Sequence, residues 1–373
     1  MDFAFTEAQE AVSGLSKKIF AERIGHAMLK TIEASDDRFA RALWDELATV
    51  GLLGTTIAEE YGGGGHGILE LCALLEQAGA AVAPLPLWTT LAVCAPAIEA
   101  HGSEALKKRV LPAIAAGNLI VTAALVEPHE SDPFHPETRA RRHGGGGWSL
   151  SGRKSFVPYA HVAHSLLVPA RHDDGALGVF LVDAKADGVQ IERQHTTSGE
   201  IQGLVTLAGV HVEDQNVVGD ATRGHAVLET MLPRAQVGLC AMELGVVERV
   251  LRMTAEYTTQ RHQFDRPIAT FQAVSQRAAD AFIDVESIRL SLWQAAWQLS
   301  QGRNATQAVA TARLFACEAG RRVVYAAQHL HGGIGFDLDY PLHRYYVWSK
   351  QIELTLGAAP DQLAKLGAEL AKG

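Results

Sequence analysis

Arg261, Phe264 and Gln272 share one run, RHQFDRPIATFQ (residues 261–272), and Gly332, Gly333 and Gly335 share another, HGGIGF (residues 331–336). An arginine guanidinium is planar and presents paired donors that suit a phosphate. A phenylalanine ring offers a face to a planar ligand, and clustered glycines allow a backbone to approach a ligand closely. From spacing alone, a surface ion pair of Arg261 with Glu256 or Asp265 is the simpler reading. Gln328 and His329, just ahead of the glycine run, are the polar groups beside it. Two histidine pairs, His161 with His164 and His329 with His331, lack the cysteine or carboxylate spacing of a metal site, so solvent-facing or hydrogen-bonded rings are expected and no metal. Trp293 and Trp297, one helical turn apart, are expected in core packing.

These residues need elements to hold them. Residues 5–118 carry apolar side chains at helical spacing, with GLLG (51–54) and EEYGGGG (59–65) as helix ends and loops. Residues 119–220 change to short β-rich runs bounded by Gly, Asp and Pro: WSLSGRKSF, HSLLVPA, GVFLVDA, VQIERQ and LVTLAGVHV. Helical spacing returns from residue 228 onward, over 234–260, 271–301, 305–331 and 340–354. The domains expected are therefore 1–118, 119–225 and 226–373. The alanine-rich tract 78–98 approaches membrane-span length, but Pro84, Pro86 and Pro96 interrupt it, and two short buried helices with a turn are expected. RARRHGGGG (139–147) reads as a flexible hairpin, and the basic runs 107–109 and 139–142 as solvated turns.

A chain of 373 residues exceeds one typical core. Its formal net charge of −9 argues against duplex nucleic acid or an anionic membrane as partner. Cys72, Cys94, Cys240 and Cys317 are widely spaced among apolar neighbours, as reduced structural thiols are. With no basic stretch and apolar core at the N-terminus to read as a signal peptide, a cytoplasmic protein is expected.

With these motifs in this order, nearly the whole chain resembles the acyl-CoA dehydrogenase family. GLLG followed by AEEYGG is similar to the family's GL-x-G and PEEYGG pattern, with Ala58 at the proline. The resemblance implies a mainly α fold with a β domain: an N-terminal helical domain, a middle β-barrel-like domain and a C-terminal helical bundle. It implies FAD as cofactor, an acyl-CoA thioester as substrate and α,β-desaturation as the reaction. It also implies that RxxF and GGxG reach across a dimer interface to the neighbour's FAD. That gives cofactor-binding roles to Arg261, Phe264, Gln272, Gln328, His329, Gly332, Gly333 and Gly335, and the full context RHQFDRPIATFQAV then outweighs the ion-pair reading of Arg261.

The departures from the family pattern are equally specific. Its catalytic glutamate falls on Leu356, in LTLGAA. The alternative position for the base falls at or near Ala235, among Pro233, Arg234 and Gln236, where there is no carboxylate. Glu243 is the outside candidate, while Glu248 and Glu353 read as ordinary helix or surface carboxylates. A well-matched base contributes a factor of about 100 to 10,000, or roughly 3 to 5 kcal/mol of barrier. Where the family has a TEPxxGSD-like loop, this chain has VEPHESD (126–132), with Val126 at the threonine. Where it has K-x-W-I-T-N, this chain has KSFVPY (154–159). Phe156 then replaces the flavin-shielding tryptophan, and Pro158, without hydroxyl or N–H, replaces the threonine. His329 stands where glutamine is usual.

The leading expectation is a subunit with no catalytic residue of its own, completing the FAD site of a homologous partner that carries the glutamate. DVESIRLSLWQAAWQL and HRYYVWSKQIELTLGAA resemble the non-catalytic subunit of actinobacterial α2β2 dehydrogenases acting on steroid side-chain CoA thioesters. Two alternatives stand beside it. One is a self-sufficient homotetrameric flavoenzyme with Glu243 or another unusual base; the other is a flavin-free binding or scaffold protein.

Overall fold

The computed structural model describes residues 4–371. Its helices and strands follow in the order α1 (Glu7–Arg23), α2 (His26–Glu33), α3 (Arg41–Thr49), α4 (Ile68–Ala80), α5 (Ala95–His101), α6 (Glu104–Ala115), β1 (Val121–Ala123), β2 (Arg139–Arg142), β3 (Trp148–Pro158), β4 (Ser165–His172), β5 (Leu177–Asp183), β6 (Val189–His195) and β7 (Ile201–Val212). Then come α7 (Gly224–Gln260), a short hairpin β8 (His262–Gln263) and β9 (Arg266–Pro267), α8 (Gln272–Ser300), α9 (Thr306–His331), α10 (Leu342–Leu354) and α11 (Ala359–Leu370). Helices, strands, helices is the order the resemblance implies. Among the described residues no helix is long and apolar enough to cross a membrane.

The chain divides into two compact units, and the sequence passes between them inside α2, near both ends of the 72–83 stretch and inside α7. The first unit holds residues 1–28, 72–83 and 236–373. Its α8 buries Val285, Ile288 and Leu292, and α9 buries Val309, Ala312, Ala316 and Val323, at the three- and four-residue spacing of an amphipathic helix. The end of α4 meets α7 backbone to backbone. A Cβ on Gly79 would lie 2.0 Å from the Met242 carbonyl oxygen, and one on Gly245 1.8 Å from that of Glu76, so this crossing requires both glycines.

The second unit holds residues 29–71 and 84–235. Its sheet runs β1-β4-β2-β3-β7-β6, with β5 on β4; β1 and β2 pair with β4 in parallel and the other pairs are antiparallel. Leu150, Leu166, Val168, Phe180, Val205 and Val210 fill its inner face. The tract after α4 is a turn through Pro84 and Pro86, then a π-helical stretch (Trp88–Cys94) that runs directly into α5. Pro96 therefore does not interrupt it; it sits in the first turn of α5, directly after the π-helical stretch. Thr89 and Thr90 tie this stretch to β1, through Thr122 Oγ1 at 2.9 Å and the Val121 carbonyl at 2.9 Å.

Three local expectations are corrected. Residues 107–109 are not a turn but lie within α6, which Ser103 caps. Residues 139–142 form β2, because Ala140 faces the core and the strand pairs with β3 over Arg139–Ser151 to Arg142–Trp148. Trp297 is 40% exposed with the Arg303 guanidinium over its ring, and Trp293 is only half-buried, edge-on to the exposed Phe5, so neither lies in the core.

Candidate functional site

Helix α7 ends at Gln260, and the chain turns at once through the hairpin β8–β9. Its strands pair His262 with Pro267 and Gln263 with Arg266, leaving Phe264 and Asp265 as a two-residue loop. Both have left-handed backbone, at φ +53° and +61°, the geometry of a type I′ hairpin turn. That conformation costs a non-glycine residue about 1 to 3 kcal/mol, and it leaves Phe264 87% exposed, with the Phe271 ring edge-on at 6.1 Å. Arg261 and Gln272 are exposed on either side. Among the described residues no ion pair joins Arg261 to Glu256 or Asp265, so its exposed guanidinium is available to an outside group.

The second motif lies against the first. Tyr257, one turn before Arg261 on α7, stacks on His331 with ring centroids 4.4 Å apart, and its hydroxyl donates to the His331 carbonyl at 3.3 Å. Residues 332–336 follow as a 3-10 turn. Gly332 adopts φ +65°, ψ −141°, a conformation reserved for glycine. A Cβ on Gly332 or Gly333 would meet nothing within 4 Å, so this face is open to an incoming group. Gly335 is buried against Gln328, whose Oε1 would lie 2.1 Å from a Cβ there and has no hydrogen-bond partner. Gln328 is thus the buried amide of this loop, and His329 is exposed. An open glycine backbone, a free guanidinium, a displayed phenyl ring and an unpartnered amide oxygen fit a planar, phosphate-bearing cofactor presented from outside this unit.

Neither position for a base carries one. Leu356 is half-buried with φ +56°, ahead of Gly357 at φ +96°. The end of α10 that leads to it is held by Arg313, fully buried on α9, whose Nη2 donates to the carbonyls of Ile352, Glu353 and Thr355. Ala235 is fully buried, and its carbonyl accepts the Trp88 indole N–H at 2.7 Å. Glu243 is 1% exposed, bonded through Oε1 to Ser349, with Oε2 unpartnered; burial pushes its carboxyl up to about 7. Glu248 pairs with Arg252 and Arg289, and Glu353 with Lys350.

In the second unit, the VEPHESD loop and the KSFVPY strand are joined by a buried ion pair, Lys154 Nζ to Glu127 Oε1 at 2.6 Å. Glu127 also accepts from the Thr138 hydroxyl and N–H and from the Glu137 N–H. Burial alone would raise the Glu127 carboxyl, but Lys154 and Thr138 hold it below its ordinary value. Immediately after Lys154 the β3–β7 register slips: Lys154 faces Val205 and Val157 faces Gly203. The extra residue makes a bulge, with Phe156 at φ +53°, 57% exposed, and its N–H donated to the Gln194 amide oxygen at 2.9 Å. The Pro158 carbonyl accepts from Thr122.

The remaining histidines have local roles. His161 bonds the Asp37 carbonyl, His164 accepts from the Ile120 N–H, and His331 is buried. Sequence reasoning missed Tyr257, Tyr340, Arg313 and the buried state of Lys154. Only Tyr257 left a trace, its four-residue spacing from Arg261, which puts both on one helix face.

Fold and site together define a class. Models of the acyl-CoA dehydrogenase N-terminal, middle and C-terminal domains match residues 6–118, 123–207 and 222–370. The chain belongs to the acyl-CoA dehydrogenase family. It is 38% identical to acyl-CoA dehydrogenase FadE27 of Mycobacterium tuberculosis, over 100% of this chain and 99% of that protein. Among solved structures it is similar to a steroid acyl-CoA dehydrogenase variant, Tcur3481-Tcur3483, at 42% identity and TM-score 0.92 over 98% of both chains. It is also similar to the ChsE4-ChsE5 complex of Mycobacterium tuberculosis, at 38% identity and TM-score 0.94 over the full length of both chains.

Proposed function

We propose that this chain is one subunit of a heteromeric FAD-dependent acyl-CoA dehydrogenase, carrying no catalytic base and completing the FAD site of a homologous partner that has the glutamate. The observation that carries this reading is the joining of Arg261 to the glycine loop through Tyr257 and His331, with Phe264 displayed on strained backbone and Arg261 unpaired. Strained backbone that displays an aromatic ring is a common feature of functional sites, and it supports a ring kept for a partner. The other half of the site supports the same reading: Leu356 and Ala235 cannot take a proton, and Phe156 and Pro158 offer a flavin neither a tryptophan shield nor a hydroxyl.

Bound FAD supplies the oxidant that accepts the electrons released as the acyl α,β bond becomes double. In this reading Arg261 neutralises cofactor phosphate, Gly332 and Gly333 admit the cofactor to backbone contact, and the buried Gly335 lets the loop pack on Gln328. Phe264, Gln272, Gln328 and His329 line the same approach, and the α-proton goes to the partner's carboxylate. Similarity to a steroid dehydrogenase and to the ChsE4-ChsE5 complex supports a steroid side-chain CoA thioester as substrate and a two-chain assembly. Glu243, enclosed and bonded to Ser349, acts here as a structural carboxylic acid.

The test is the flavin content of the chain expressed alone, from the visible absorbance of FAD released on denaturation, against that of the chain co-expressed with a glutamate-bearing homologous subunit. Almost none alone and about one flavin per heterodimer is expected. Close to one flavin per chain alone would instead favour a self-sufficient flavoenzyme, and none in either preparation a flavin-free subunit.

A further inference from the structure

We infer that His331, Tyr340 and Tyr257 form a clamp that closes residues 332–339 into a fixed loop and locks it to the Arg261 end of α7, making all three positioning residues for the cofactor. This rests on the reading above for the cofactor's identity, but the clamp itself is a property of the chain. Residues 332–334 and 336–339 are exposed around the buried Gly335, and short turns shape the segment, Asp337 N–H to the Ile334 carbonyl, Tyr340 N–H to the Asp337 carbonyl and Asp339 N–H to Asp337 Oδ1. Tying the ends of such an exposed segment narrows the shapes it can take. His331 is the last residue of α9 and Tyr340 the first half-buried residue after the loop, and their side chains meet, Nε2 to hydroxyl, at 3.1 Å.

The direction of that bond follows from the other ring nitrogen. His331 Nδ1 lies 2.9 Å from the Ala327 carbonyl, which can only accept, so Nδ1 carries the proton. In the neutral ring Nε2 then accepts, and Tyr340 donates. Burial lowers the His331 pKa and keeps the ring neutral, and burial raises the Tyr340 hydroxyl and keeps its proton in place. Tyr257 supports the pair from α7 by stacking on His331, lying edge-on to Tyr340 at 6.5 Å and bonding the His331 carbonyl. Because the Arg261 N–H bonds the Tyr257 carbonyl at 2.8 Å, one residue braces both cofactor-facing motifs.

Tyr340→Phe removes one hydroxyl and keeps the ring; Tyr257→Phe, equally mild, removes the bond to the His331 carbonyl. Amide hydrogen exchange of the isolated chain should show residues 332–336 exchanging about five-fold faster in either variant, the effect of one lost hydrogen bond, with the rest of α9 and the unfolding midpoint unchanged. In the complex with the glutamate-bearing subunit, FAD should dissociate correspondingly faster. Unchanged loop exchange in both variants overturns the clamp. A loosened loop with wild-type FAD retention, where Arg261→Ala loses FAD, overturns its positioning role. Wild-type retention in Arg261→Ala as well overturns the parent reading that this chain completes the flavin site.

Discussion

Ser349 on α10 donates its hydroxyl to Oε1 of Glu243 on α7 across 2.6 Å, and Gly320 on α9 leaves room for that carboxyl because a Cβ there would lie 2.3 Å from the same oxygen. Three helices therefore meet on one buried carboxylic acid. Burial lifts its pKa from 4.5 to about 7, against the pull of Ser349 and Arg313. A carboxyl raised in the folded state stabilises the fold fully below its unfolded pKa, and that contribution is lost as pH rises through the folded pKa. The change amounts to about 3 kcal/mol between pH 4.5 and 7. Glu243→Gln should flatten this part of the profile. Glu76, also raised to about 7 by burial, remains in both proteins. Urea unfolding at pH 5 and pH 8 is the check, and equal pH sensitivity in variant and wild type would contradict the assignment.

Arg313 gives a second stability prediction. Its Nη2 amino group alone bonds three carbonyls at the end of α10, a position that a shorter lysine, with its more strongly hydrated and costlier-to-bury ammonium, fills poorly. Arg313→Lys should cost about 2 kcal/mol and speed amide exchange at residues 355–357. A thermal midpoint equal to wild type would show that the Leu356 segment holds its shape without the guanidinium.

The helix–strand–helix order was legible because apolar spacing changes period where the elements change, and β3 to β7 fall on the five β-rich runs. Two helical segments were not. Pro233 suggests a start at residue 234, yet α7 begins at Gly224 and carries the proline inside. Helical spacing named no segment after residue 354, yet α11 follows, with Pro360 in its first turn. The buried charges were least legible. Arg313 and Lys154 are fully enclosed, and nothing local distinguishes them from surface cations, since their partners, the end of α10 and Glu127, are remote in sequence. Both candidate cofactor motifs were visible as residues, but Tyr340 matters only through a bond closed over a loop.

For Lys154 and Glu127 the prediction is a coupling. Lys154→Met leaves the Glu127 carboxylate buried without its cation and should cost about 3 to 5 kcal/mol. Adding Glu127→Gln, which keeps an acceptor for Thr138, should recover part of that loss. A double-mutant cycle by chemical denaturation would give an interaction above about 1 kcal/mol; strict additivity would mean that the two groups stabilise the fold independently.

Leu356→Glu addresses function directly. The substitution restores a carboxylate on a loop whose backbone, at φ +56°, is as strained for glutamate as for leucine. It supplies no seat for the flavin, because Phe156 and Pro158 remain in β3. The chain carrying Leu356→Glu and purified alone should therefore leave acyl-CoA-dependent dye reduction at background. Adding Phe156→Trp and Pro158→Thr should bring bound flavin to the isolated chain, measured as visible absorbance after gel filtration, before any turnover appears. Substantial turnover from Leu356→Glu alone would mean that the β domain already holds FAD, and that a missing base was the only defect in this chain's own site.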